Sequence, residues 1–287
     1  MKKIIQRTLY FTILIILVLL VCLHLLDRLM EFSDTEINEY FKENGQKVSI
    51  IHHKSDHEIV RIVKSGESTK TSIICIHGAP GSWDAYKSYM IDRTLLSRAE
   101  IISYDRPGYG PMNDGPVTSI KDQAKVLNDI IELYASSDNI ILLSHSFGGP
   151  IATYYNAMYR NKITTHLMVA PAIDPDSERY FWVSPLGYWK GTKWLIPSNY
   201  ITASYEKYTH EAELSQLIPL IKNIKNKTIH IHGMKDWLAP AEGNIQYVKN
   251  QFPSQITEQI ILPEAGHLLI WDEKELLKEK ILQIIKK

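Results

Sequence analysis

The chain has 287 residues, 45% hydrophobic and 22% charged, with 32 basic side chains balanced by 32 acidic ones. That balance gives no electrostatic footprint for nucleic acid, and the length fits one large α/β domain. Two cysteines, Cys22 and Cys75, exclude a disulfide framework and leave the redox compartment open.

The first 30 residues, MKKIIQRTLYFTILIILVLLVCLHLLDRLM, place Lys2, Lys3 and Arg7 before 18 residues, 9–26, without formal charge. That run is long enough to span the hydrocarbon core of a bilayer. A cleaved signal peptide has a shorter apolar core and a small-residue cleavage site, and none is evident. LLVC ending at Cys22 loosely matches a lipoprotein site, but Val21 is bulkier than such a site prefers. An uncleaved anchor over residues 1–32 is the expected reading, with a removed signal peptide or lipoprotein as the alternative. Positive charge ahead of the span predicts a cytoplasmic N-terminus and an extracytoplasmic body.

Residues 33–46 read as a short stalk helix: Ser33 and Glu36 form a capping-box pattern, and Asn44-Gly45 ends it. KVSIIHHK and HEIVRIVK follow as an antiparallel hairpin. The rhythm then changes. SIICI, EIISY, NIILL, THLMVA, KTIHIH and ITEQIIL are apolar strand candidates, separated by amphipathic stretches such as SIKDQAKVLNDIIELYA. Apolar strands alternating with helices predict a mostly parallel sheet buried on both faces. Residues 174–222 contain no good strand but hold Trp182, Trp189 and Trp194 among many tyrosines. Two readings stand: a surface insertion with its own aromatic core, or a helical lid over a pocket.

In NIILLSHSFGGPIATYY a strand runs into Ser146 and a helix starts directly after it. Such a turn lifts a serine hydroxyl above the sheet edge, provided that residues two before and two after are small. Gly148 meets the second requirement, and Ser144 stands where glycine is usual. Read alone, the pattern fits an ordinary turn equally well. HGAPGSW and YDRPGYG, however, also put Gly and Pro at the carboxyl ends of strands, where α/β sheets collect their sites. HIHGMKDW places Asp236 past another strand, and PEAGHLL places His267 after the last. Nucleophile, acid and base candidates thus occur in the order Ser, Asp, His.

With these motifs the sequence resembles the α/β-hydrolase fold superfamily, in its lidded branch with H-G-x-P-G and D-R-P-G-x-G. The resemblance covers residues 47–287 and implies a mostly parallel sheet flanked by helices, with 174–222 as the lid. It implies Ser146 as nucleophile, His267 as base, Asp236 as acid, and the N–H groups of Ala79 and Phe147 as the oxyanion hole. A serine at the elbow excludes relatives that use aspartate there, such as epoxide hydrolases. Asp174, also past a strand, is the alternative acid.

The expected activity is that of a membrane-anchored serine esterase acting on a small-molecule acyl substrate, with no cofactor, metal or nucleic acid. A proline iminopeptidase-like aminopeptidase (HGAPG is close to the H-G-G-P-G of those enzymes), a C–C bond hydrolase and a non-catalytic binding module are the alternatives. Oligomeric state and substrate identity are not encoded in any motif. His52, His53 and His57 near Asp56 lack a recognised metal-ligand spacing and read as solvated hairpin residues. His77, His145 and His232 read as structural. Glu206 and Glu211 in the lid segment suit a substrate amine, or simply face water.

Overall fold

The structure, a computed structural model, describes residues 2–56, 58–67, 70–159, 163–180 and 184–286. His57, Phe181 and Trp182 lie outside the described residues, so the readings that involve them are left there.

Eight strands form one sheet: β1 (Val48–Lys54), β2 (Ile59–Ser65), β3 (Ser72–Ile76), β4 (Glu100–Tyr104), β5 (Ile140–His145), β6 (Ile163–Val169), β7 (Lys227–Gly233) and β8 (Thr257–Leu262). Their spatial order is β1-β2-β4-β3-β5-β6-β7-β8. The first hairpin pairs antiparallel to itself and to β4, and every later pairing is parallel. Each strand expected from the sequence is present.

Alternation along the strands divides the core in two. Ile74 and Ile76 face the helices Ile120–Tyr134 and Gly148–Met158. Ile73 and Cys75, one residue out of phase, face Phe41, Trp83 and the C-terminal helix Lys274–Ile285. Covering both faces is why SIICI and IILLSH are buried at every position. The chain leaves β3 for β4 on one side and returns to β5 on the other. The crevice where strand order reverses therefore opens at the carboxyl ends of β3 and β5.

Before the sheet, the helix Lys2–Met30 carries a stretch, Lys3–Leu25, long and apolar enough to cross a membrane or to act as a signal sequence. The helix Asp34–Glu43 follows with the predicted capping box complete at Ser33 and Glu36. It buries Ile37 and Phe41 against the domain, so it is part of the core rather than a free stalk.

Residues 174–222 are helical where described: Pro175–Ser177, Pro185–Tyr188, Lys193–Leu195 and the long helix Ser198–Ile221. Part of the segment packs on itself. Tyr188 packs on Tyr205 and Tyr208 with ring centroids 6.2 and 5.0 Å apart, a small aromatic cluster of the segment's own. Trp189 and Trp194 face outward instead, 62% and 73% exposed.

Candidate active site

Ser146 sits between β5 and the helix Gly148–Met158 with φ 52°, in the left-handed region that a residue with a β-carbon rarely adopts. Neighbouring backbone holds it there. Its N–H donates to the Val169 carbonyl at 3.1 Å, and its carbonyl accepts from Gly149 N–H at 2.9 Å. Gly148 lets the helix start hard against β3, because a β-carbon there would lie 2.4 Å from the Ile76 carbonyl oxygen. Ser144 fits the position usually held by glycine by turning its hydroxyl to His166 Nε2, 2.8 Å away and fully buried.

The three side chains singled out from the sequence are brought together. Ser146 Oγ lies 3.0 Å from His267 Nε2, and His267 Nδ1 lies 2.7 Å from Asp236 Oδ2. Asp236 is surrounded by donors. The Leu238 and Ala239 N–H groups donate to Oδ1, both at 2.9 Å, and His232 Nε2 approaches Oδ2 at 3.1 Å. Burial pushes its carboxyl up, but the hydrogen bonds from His232 and His267 outweigh that and hold it well below the usual carboxylate range. Asp236 is therefore an anion at neutral pH, and an anion at that point keeps the His267 proton on Nδ1. Nε2 is left as an acceptor facing the serine hydroxyl.

Behind Asp236 runs a chain of groups of which sequence reasoning named only His232, as a structural residue. Gln259 Nε2 donates to the Ile245 carbonyl at 3.0 Å, which fixes which end of the amide is nitrogen. The same nitrogen donates to His230 Nδ1 at 3.0 Å, so His230 carries its proton on Nε2 and gives it to His232 Nδ1, also at 3.0 Å. His232 must then be protonated on Nε2, the atom that meets Asp236 Oδ2 and the Ala239 carbonyl. The tautomers of two buried histidines are thereby set from Gln259 to the acid. The H-I-H alternation in KTIHIHG, which puts both rings on one strand face, is the signal that was available.

Other expectations are corrected or refined. Glu206 does not face water: it is fully buried and bonded to Arg106 at 2.6 and 3.1 Å, to Tyr109 at 2.6 Å and to Gln123 at 2.9 Å. A lid-segment carboxylate is buried because the arginine of YDRPG is buried beneath it. Glu211 bonds Tyr180 at the surface. Asp174 is buried and caps the turn Pro175–Ser177, accepting from Asp176 N–H at 3.1 Å and from Ser177 Oγ at 2.5 Å. It bonds that turn rather than His267. His52 reaches Asp34, whereas His53 is nearly buried against Tyr134, so the two rings diverge from adjacent strand positions and His53 is not a solvated residue. His145 donates from Nε2 to the His267 carbonyl at 2.9 Å, and burial, then the neighbouring His267, pushes it down to about 3. It stays neutral and braces the loop that carries His267.

Ala79 and Phe147 line the same cleft as Ser146, and among the described residues neither backbone N–H is paired with an acceptor. Phe147 stacks on His210 of the long helix at 4.5 Å. Ser146 and His267 open into a cleft of about 1320 Å³ lined mainly by apolar side chains, among them Leu186, Ile196, Leu238 and Trp271. Of residues 174–222, the rings of Tyr200 and His210 reach it among the described residues.

This fold, with a strained serine at the strand-to-helix turn, defines an α/β hydrolase. A model of the alpha/beta hydrolase family matches residues 73–279, and the chain belongs to that family. The proline iminopeptidase of Lactiplantibacillus plantarum is 28% identical over 115 residues, 39% of this chain and 40% of that protein. Norfluorocurarine synthase 2 of a Strychnos species is 25% identical over 114 residues, 39% of this chain and 42% of that protein. The chain thus matches less than half the length of these curated relatives. The esterase EaEST from Exiguobacterium antarcticum shares the fold, with a TM-score of 0.64 at 18% identity over 83% of this chain and 99% of that one.

Proposed function

We propose that the protein is a membrane-anchored serine hydrolase that cleaves a carboxylic ester through an acyl-enzyme. The observation that carries the reading is the continuous set of contacts from Ser146 Oγ through His267 to a carboxylate held ionised at Asp236. Ser146 Oγ attacks the ester carbonyl as His267 Nε2 takes its proton. The tetrahedral oxyanion is met by the N–H groups of Phe147 and Ala79, each worth about 3 kcal/mol in such a site. His267 returns the proton to the leaving alkoxide, then activates water for attack on the acyl-enzyme. Asp236 balances the imidazolium charge formed in each half-reaction.

An ester is favoured over an aminopeptidase substrate by Glu206. Of the two acids read as suited to an amine, Glu206 is already committed to Arg106, Tyr109 and Gln123, and Glu211 bonds Tyr180 at the surface. The apolar lining of the cleft suits an apolar acyl or alcohol portion. Residues 1–32 serve as the anchor, and residues 47–287 as the extracytoplasmic catalytic domain with its lid at 174–222.

A fluorophosphonate probe applied to membranes carrying the full chain tests the chemistry. Ser146→Ala should abolish labelling and Ser144→Ala should keep it; labelling that survives the first change overturns the assignment. Protease added to intact cells, with any outer membrane permeabilised, should digest the domain. Protection until lysis would reverse the topology.

A further inference from the structure

One wall of the cleft comes from outside the hydrolase fold. Ile16, Leu19, Leu20 and Leu23 of the N-terminal helix line the same cavity as Ser146 and His267. Their spacing places them on one helix face, and Asp27 continues it. The helix is fastened there. His24 Nε2 bonds the Leu195 carbonyl at 2.9 Å, Asn199 Nδ2 donates to Asp27 at 3.1 Å, and Arg61 donates to the Phe32 carbonyl at 2.5 Å. Phe32 also packs edge-on against buried Trp83, with ring centroids 5.9 Å apart. Leu20 and Leu23 are half-buried on that face, whereas Ile16 and Leu19 at its edge, and Leu14, Leu17 and Val21 away from it, are half or more exposed. That is a surface for hydrocarbon, not water.

The depth fits a membrane. Ile16 lies seven residues before Leu23, roughly 10 Å along a helix axis, against about 15 Å for one leaflet's hydrocarbon. With Leu25 at the end of the apolar span and Asp27 beyond it, the cleft opens at acyl-chain depth in the nearer leaflet. The segment that bonds His24 through the Leu195 carbonyl carries outward-facing Trp189 and Trp194 just before that bond. Exposed tryptophans at that level suit the membrane–water interface.

We propose that the substrate is a membrane-resident lipid ester whose acyl chain enters the cleft laterally from the bilayer. It passes between the N-terminal helix and the segment from Leu186 to Leu195, and the helix is a working wall of the site as well as an anchor. This inference rests on the membrane-anchored esterase reading above.

The test uses the full chain in phosphatidylcholine vesicles. A phosphatidylcholine with a diazirine at the end of one acyl chain is irradiated there and its adducts are mapped. Adducts at Phe147 and His210, deep in the cleft, are expected; adducts confined to residues 4–15 and the domain exterior overturn the proposal. In the same vesicles, kcat/KM is measured for a dioleoylglycerol ester in the bilayer and for water-soluble p-nitrophenyl acetate. Leu20→Trp and Leu23→Trp, which fill the entrance, should lower the ratio of lipid to soluble rates at least ~10-fold, about 1.4 kcal/mol of differential transition-state stabilisation. Leu17→Trp, away from the cleft, should leave the ratio at its parent value. An unchanged ratio in the entrance variants overturns the proposal. Deep adducts without hydrolysis of either ester would sink the esterase reading and leave the lipid site standing. Acetate hydrolysis with exterior adducts alone would do the reverse.

Discussion

Arg106 and Glu206 stand 100 positions apart in the chain, yet they meet through two hydrogen bonds of 2.6 and 3.1 Å with both side chains fully buried. One belongs to the loop after β4 and the other to the long helix Ser198–Ile221. Tyr109 and Gln123 complete the carboxylate's partners, so the pair docks the lid segment onto the sheet. Breaking a buried pair by neutralising one partner typically costs about 3–5 kcal/mol, since the other charge stays in the interior. Glu206→Gln should lose stability on that scale in urea unfolding. Glu211→Gln at the surface should stay within roughly 0.5 kcal/mol of the parent. Equal midpoints for the two variants would show that the long helix does not depend on this pair.

Asp236→Asn should lower kcat/KM on an activated ester by about 10⁴-fold, because a neutral amide no longer selects the Nδ1 tautomer of His267. Asp174→Asn leaves His267 untouched and should cost far less. Circular dichroism of both variants separates loss of chemistry from loss of fold. A severe effect at Asp174 with a mild one at Asp236 would move the acid to the other strand.

In the proposed mechanism His232 acts through Asp236, 3.1 Å away, as a positioning residue. His232→Leu removes one donor from the carboxylate, which then attracts the His267 proton more strongly. A fall of roughly 10-fold in kcat/KM is expected, with the acidic limb of the pH–rate profile moved to higher pH. A smaller rate with an unmoved limb would point to packing alone.

Gly148→Ala should prevent the elbow from closing, since the new β-carbon would press on the Ile76 carbonyl at 2.4 Å and backbone cannot yield there. Soluble folded yield and fluorophosphonate labelling should both collapse. Gly266→Ala, where nothing lies within 4 Å, should be tolerated. Normal labelling of the first variant would contradict the close approach.

Acid should unfold the domain early. Burial pushes His145 and His166 down to about 3 and holds His77 and His230 well below the ordinary imidazole range. In the unfolded chain these rings titrate near ~6.5, so below that the unfolded state binds more protons and stability rises with pH. Their contribution is complete above about pH 6.5 and is lost as pH falls toward 3, by up to about 1.4 kcal/mol per pH unit for each ring. Asp236, held low, adds a loss in the same direction at still lower pH. Urea midpoints should therefore decline steadily from about pH 6.5 to 4.5; a flat profile would mean that the rings titrate normally.

The order of strands and helices was legible in the sequence because a buried parallel sheet demands apolar runs bounded by Gly and Pro. SIICI and IILLSH needed no further context. The positions of Ser146, Asp236 and His267 were legible for the same reason: each follows such a run, and parallel strands end at one edge. What lay beyond reach depended on packing between distant segments. Nothing in one dimension distinguishes Glu206, buried on Arg106, from Glu211 at the surface, since a charge's environment is set by whatever folds over it. The proton order from Gln259 through His230 and His232 likewise exists only once β7 and β8 lie side by side. The N-terminal span was readable as apolar and long, a property of its own residues. That its Leu20–Leu23 face walls the cleft holding Ser146 was decided by the tertiary structure, through the bonds of His24 and Asp27 to a segment some 170 residues away.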